Sequence, residues 1–212
     1  MKQRKITLLI DILVLVLGII GVYLHYLKYG LWMFQFYTLD SNLFATIAFG
    51  ISVFYDFAAY KKGTEPPCWT RTLKYYSTCT VMVTFVVVVA VLSPMMTGTM
   101  SYGNALIMFL TEKEMLYHHL LVPVLCFISL CFVEPKLNEG KSLALKGTIF
   151  TLVYGAIAYA LNGIGFLDGP YPFLKVHEQS IFMSIVWVIA IWSLAYGLAM
   201  LIYRLNGRKN NE

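Results

Sequence analysis

Residues 73–96 read LKYYSTCTVMVTFVVVVAVLSPMM. Taken alone, the run Val86–Val89 looks like a strand, because β-branched side chains suit a pleated surface. The window around it settles the matter. Lys74 is its only charge, and Val81 to Leu92 is almost wholly apolar. A helix needs about 20 mainly apolar residues to cross the hydrocarbon core. Backbone groups in lipid must find partners within the chain, so a run of this length predicts a spanning helix.

Five further stretches have the same character. With the first they fall at roughly 6–27, 38–60, 73–96, 115–133, 145–165 and 178–203. The composition agrees: 59% of the 212 residues are hydrophobic and 13% are charged. A soluble domain has about 25% charged residues and cannot hide so much apolar surface. Disorder is excluded on the same ground. A net charge of +5 spread over short loops gives no stripe for nucleic acid. The expectation is a single all-α domain over 1–212, a polytopic six-transmembrane-helix bundle. The first stretch follows a basic start (Lys2, Arg4, Lys5) but is long and has no small-residue cleavage site, so it reads as an uncleaved anchor.

Loop charges set an expected orientation. With the N-terminus in the cytoplasm, 13 Lys and Arg fall inside (Lys2, Arg4, Lys5, Lys61, Lys62, Arg71, Lys74, Lys136, Lys141, Lys146, Arg204, Arg208, Lys209). Only Lys28, Lys113 and Lys175 fall outside. Both termini are thus expected to be cytoplasmic. The outer loop from Thr97 to Glu114 is a candidate for an interfacial helix around Ala105–Leu110. The loop from Phe166 to His177 carries Pro170 and Pro172, whose fixed φ angles predict a rigid cap.

Polar residues gather at the expected outer end. His25 ends the first stretch. Thr38, Asp40, Ser41 and Asn42 begin the second, His118 and His119 begin the fourth, Asn162 ends the fifth, and His177 precedes the sixth. Polar groups at membrane depth are candidate functional residues. Asp40 is also a candidate cap for the second helix. At about 100° per residue, His119 shares the smaller, more polar face with Pro123 and Cys126, which favours it over His118 as the inward histidine. Pro123 predicts a disturbed backbone near residue 119. Asp11 and Asp56 lie near the inner ends, where Lys and Arg can meet them. Cys68, Cys79, Cys126 and Cys131 read as reduced thiols, and no metal or cofactor is implied.

A hydroxyl and a neutral imidazole at one end of a bundle suit acyl transfer, with the imidazole taking the proton as the hydroxyl attacks. Asn42, Ser41, Asn162 and His177 are candidate oxyanion or substrate contacts. A vestibule for transport and a non-catalytic scaffold are the competing readings.

Three motifs carry a resemblance over nearly the whole chain. Phe36-Tyr37-Thr38-Leu39-Asp40-Ser41-Asn42-Leu43, Tyr117-His118-His119-Leu120-Leu121-Val122-Pro123-Val124-Leu125 and Pro170-Tyr171-Pro172-Phe173-Leu174 are similar, in order and spacing, to segments of the androgen-induced protein / androgen-dependent TFPI-regulating protein family, and above all to its bacterial six-pass branch. The resemblance implies a threonine hydrolase cleaving fatty-acyl esters, with Thr38 as nucleophile and a histidine of the fourth helix as base. His119 matches the bacterial spacing to the proline and His118 the animal one. A membrane lipid or fatty-acid ester would be the substrate, and a bacterial member would sit in the plasma membrane.

Overall fold

The computed structural model describes residues 2–137 and 139–207. Arg208 and Lys209, counted above among the inner charges, lie outside the described residues. Among the described residues, six helices are long and apolar enough to cross a membrane: α1 (Gln3–Gln35), α2 (Tyr37–Lys62), α3 (Cys68–Gly98), α5 (Lys113–Val133), α6 (Ser142–Gly163) and α7 (Ile181–Gly207). The short α4 (Tyr102–Thr111) stands where an interfacial helix was expected. No strand occurs among the described residues, and Val86–Val89 lies inside α3. The chain is a multi-pass, all-α membrane protein.

Three local departures from the α-helix each precede a proline, two inside a helix and one just past a helix end. The backbone widens to i→i+5 turns over Val88–Leu92, Leu116–Leu121 and Ser129–Val133. Each stretch ends two residues before a proline: Pro94, Pro123 and Pro135. Proline donates no N–H, and its ring crowds the carbonyl four residues back. A wider turn lets the next free N–H reach back instead, as Ser93 does to Val88, Val122 to Tyr117 and Glu134 to Ser129. The disturbance expected from Pro123 is therefore a widened turn at the two histidines.

The bundle is layered along its length. A middle layer of Val14, Ala45, Ala48, Phe49, Val81, Val122 and Cys126 is fully or almost fully buried and apolar. On the side nearer the termini lies a buried ionic cluster. Lys74 Nζ donates to both carboxylate oxygens of Asp11, at 2.7 and 2.9 Å, and also contacts Glu134. Asp56 is buried on α2. Asp11 thus meets a lysine as expected, but at full burial. Lys74, counted from sequence as a loop charge, is only 1% exposed. Asn206 joins α7 to the end of α5 by donating to Leu130 O at 2.8 Å and accepting from Leu137 N at 2.8 Å. No disulfide joins the four cysteines among the described residues; Cys68 is exposed and the others are buried.

Removing one partner of a buried ion pair strands the other charge, which typically costs about 3–5 kcal/mol. Lys74→Met is expected to lower stability by about that much. Lys175→Met, at an exposed surface pair, is expected to change it little. Thermal unfolding of the purified proteins measures both.

Candidate active site

At the other end of the bundle α1 turns into α2 through a tightened last turn, Gly30–Gln35. Phe36 takes an extended conformation, and α2 starts at Tyr37. Thr38 therefore sits in the first turn of α2, where backbone N–H groups have no partner within the helix. Its hydroxyl faces α5. Thr38 Oγ1 lies 3.4 Å from His119 Nε2. That is looser than the about 2.6–3.2 Å of a proton-transfer pair, as is common in substrate-free sites.

The other ring nitrogen fixes the role of this one. His119 Nδ1 lies 2.7 Å from the carbonyl oxygen of Phe109. A carbonyl only accepts, so Nδ1 carries the hydrogen, and in the neutral ring Nε2 is left as the acceptor facing Thr38. Phe109 belongs to the last turn of α4, whose carbonyls lack helical partners. Lys113, at a φ of +42°, makes the bend that returns the chain from α4 into α5 beside that carbonyl.

A third residue completes the cluster. Tyr171 comes from the loop between α6 and α7. Its hydroxyl oxygen accepts from the Thr38 N–H at 3.2 Å and lies 3.2 Å from Thr38 Oγ1. With its oxygen accepting, its hydrogen is free to point at Thr38. Burial pushes the Tyr171 phenol above its ordinary range, so it stays protonated and able to donate. The loop holding it is pinned. Pro172–Leu174 forms one tight turn, the Tyr171 ring stacks on Phe173 at 5.2 Å, and Phe173 packs on Trp187. The Tyr159 hydroxyl and the Gln179 side chain both donate to Phe173 O. Stacking and hydrogen bonds thus hold the proline loop at several points.

Two cavities meet at Thr38 and Tyr171. One, of about 260 Å³, extends between α3, α6 and α7 and is lined by Val83, Val87, Gly155, Trp187 and Ile191. The other, of about 250 Å³, is lined by His25, Phe109, Met115, His118 and His119. The first is the more apolar, and its walls suit an alkyl chain.

The remaining sequence candidates take other duties. Asn42 spends its side-chain N–H groups on the carbonyls of Thr38 and His118, at 2.8 and 3.1 Å. Ser41 donates to Thr38 O and meets Thr84 Oγ1 at 2.9 Å. Both brace the first turn of α2 instead of facing a cavity. Asn162 donates to Leu167 O and accepts from Val176 N, while His177 donates to Asn162 O. These two tie the cap loop to the end of α6, and His177 is exposed rather than closed over a cavity. Asp40 makes no side-chain cap on α2, whose N-cap is Phe36, and it lines a separate cavity with Leu43 and Phe44.

His118 corrects the wheel argument. It is as buried as His119, 1% exposed against 5%. Neighbouring elements cover two faces of α5 at this level, and Gly21 makes room on one of them. A Cβ on Gly21 would fall 2.8 Å from Tyr117 Cβ and 3.0 Å from His118 Cε1. The His118 ring thus turns toward α1, against His25 at 5.3 Å between centroids.

The class of site so defined is a hydroxyl–imidazole–phenol cluster where two cavities meet. No protein-family model, curated protein or solved structure matches the chain.

The cap loop offers a test of its rigidity. A Cβ on Gly169 would fall 2.6 Å from Leu174 O and 2.7 Å from Leu174 C, both backbone atoms that cannot step aside. Gly169→Ala is expected to destabilise by about 1–3 kcal/mol, the usual range for overpacking. Gly197→Ala, with nothing within 4 Å, is expected to be neutral or slightly stabilising. Unfolding followed by tryptophan fluorescence compares them, since Trp187 packs on the loop.

Proposed function

We propose that this protein is an integral membrane hydrolase that cleaves fatty-acyl esters, with Thr38 as nucleophile and His119 as base. The observation that carries the reading is the His119 ring, held through Nδ1 by Phe109 so that Nε2 is the acceptor facing Thr38 Oγ1 at 3.4 Å. The motif resemblance and the apolar cavity beside Thr38 support it.

The chemistry follows from the roles these groups can take. Thr38 Oγ attacks the ester carbonyl carbon as His119 Nε2 takes its proton. The oxyanion forms beside two donors, the Tyr171 O–H and the Thr38 N–H, near the positive end of the α2 dipole. The alkoxide leaves with the proton from His119, and the acyl group remains on Thr38. Water then attacks this second ester. His119 takes the water's proton and returns one to Thr38 Oγ, releasing a fatty acid. The acyl chain lies in the apolar cavity throughout. The excess of Lys and Arg on the terminal side supports an outward-facing site. A plasma-membrane location follows if the chain is bacterial.

The apolar middle layer weighs against a transport path from this cluster to the Asp11–Lys74–Glu134 cluster. A non-catalytic scaffold gives no reason for a threonine hydroxyl to meet an oriented imidazole.

Fluorophosphonate labelling of the detergent-purified protein tests the proposal. Wild type is expected to label. Thr38→Ala is expected to lose labelling completely, and His119→Ala to slow it by about 10²–10⁴-fold, the usual worth of general-base catalysis. Labelling of Thr38→Ala at the wild-type rate overturns the assignment. A greater loss in His118→Ala than in His119→Ala moves the base to the neighbouring residue.

A further inference from the structure

The His25 and His118 rings are buried, 6% and 1% exposed, and among the described residues none of their four ring nitrogens makes a hydrogen bond of good geometry, although the Gly21 backbone lies beside the His118 ring. Buried polar atoms almost always have partners, because leaving them bare in an apolar setting is costly. Neither ring serves the nucleophile or the base. Both line the same cavity as Thr38, His119 and Tyr171. His25 is held among Tyr29, Phe36 and His118, with ring centroids 4.8, 5.4 and 5.3 Å away. The Lys28–Glu114 pair, at 2.5 Å, ties α1 to α5 at this level and keeps the Glu114 carboxylate engaged.

We propose that His25 and His118 form the acceptor subsite, holding the water that takes the acyl group from Thr38. This deepens the reading above and rests on it. Each neutral imidazole offers one donor and one acceptor, so the two rings supply the two to four polar partners that a buried water needs. The rings pack edge to face. That leaves only their nitrogen edges for a ligand and suits a single water better than a lipid headgroup. A metal is a poorer fit, since no three His, Cys, Asp or Glu side chains among the described residues converge as ligands would. In the step served, the water oxygen bonds to the acyl carbon and gives a proton to His119 Nε2. The carbon–Thr38 Oγ bond then breaks, Oγ receives that proton, and a carboxylic acid leaves. The subsite makes water, rather than a bulkier alcohol, the favoured acceptor.

Para-nitrophenyl octanoate with protein in lipid nanodiscs separates the two half-reactions. Wild type, His25→Phe, His118→Phe and His25→Gln are compared for burst size, steady turnover, octanoyl adduct on Thr38, and the ratio of methyl ester to free acid when methanol is added. The Phe variants are expected to keep a burst near one nitrophenolate per protein. Their steady turnover is expected to fall about tenfold or more, the scale of losing a positioned reactant. The adduct should persist on Thr38, and the methyl ester share should rise. His25→Gln, which restores a donor and an acceptor, is expected to recover part of the loss. The product ratio does not depend on how much protein is folded, so it decides the matter even where one variant folds poorly. Wild-type turnover and product ratio in the Phe variants overturn the subsite while leaving the nucleophile in place. Absence of an octanoyl adduct on Thr38 in wild type and in both Phe variants alike overturns both.

Discussion

Peptide groups inside a bilayer have no water to bond, and this constraint shapes the molecule more than any side chain does. It makes each long apolar run a helix. It also governs what happens where a helix fails to bond itself. Pro94, Pro123 and Pro135 each remove a donor, and before each the backbone opens to a wider turn so that few groups are stranded. One of these turns carries His118 and His119. Around them the remaining free groups find specific partners: the first-turn N–H of Thr38 goes to Tyr171, and the last-turn carbonyl of Phe109 goes to His119. The candidate site is thus assembled from the loose ends of three helices and one loop.

Most of the architecture was legible in the chain, because membrane depth imposes a length and a composition that soluble folds do not. All six spans lie close to the apolar windows, and α4 covers the stretch expected to be interfacial. The nearness of Thr38 and His119 followed from depth and motif together. What the chain did not reveal depends on pairings across long sequence separations. Lys74 stands near the start of an apolar run and reads as a loop charge, yet the fold draws it inward between Asp11 and Glu134. Tyr171 was readable as part of a stiff loop but not as a hydroxyl aimed at Thr38, 133 residues earlier.

The polar candidates that took other roles teach a related lesson. Asn42, Ser41, Asn162 and His177 were all drawn to the correct end of the bundle, but each spends its hydrogen bonds mainly on backbone. At a helix start or in a cap loop, polar side chains are first needed to satisfy the main chain. A helical wheel, which assumes one buried face, also had no means of showing that Gly21 opens a second pocket for the neighbouring histidine.

The carbonyl that orients His119 belongs to α4, a helix outside the six spans. The ring's proton arrangement is therefore fastened to a short helix that docks on α3, where the Tyr102 hydroxyl donates to Val89 O and Ala105 is buried. A sideways shift of that short helix by little more than an ångström would stretch a 2.7 Å bond beyond use and free the imidazole to turn over or swap tautomers. A displacement of α4 is thereby felt at the ring, ten residues further along the chain.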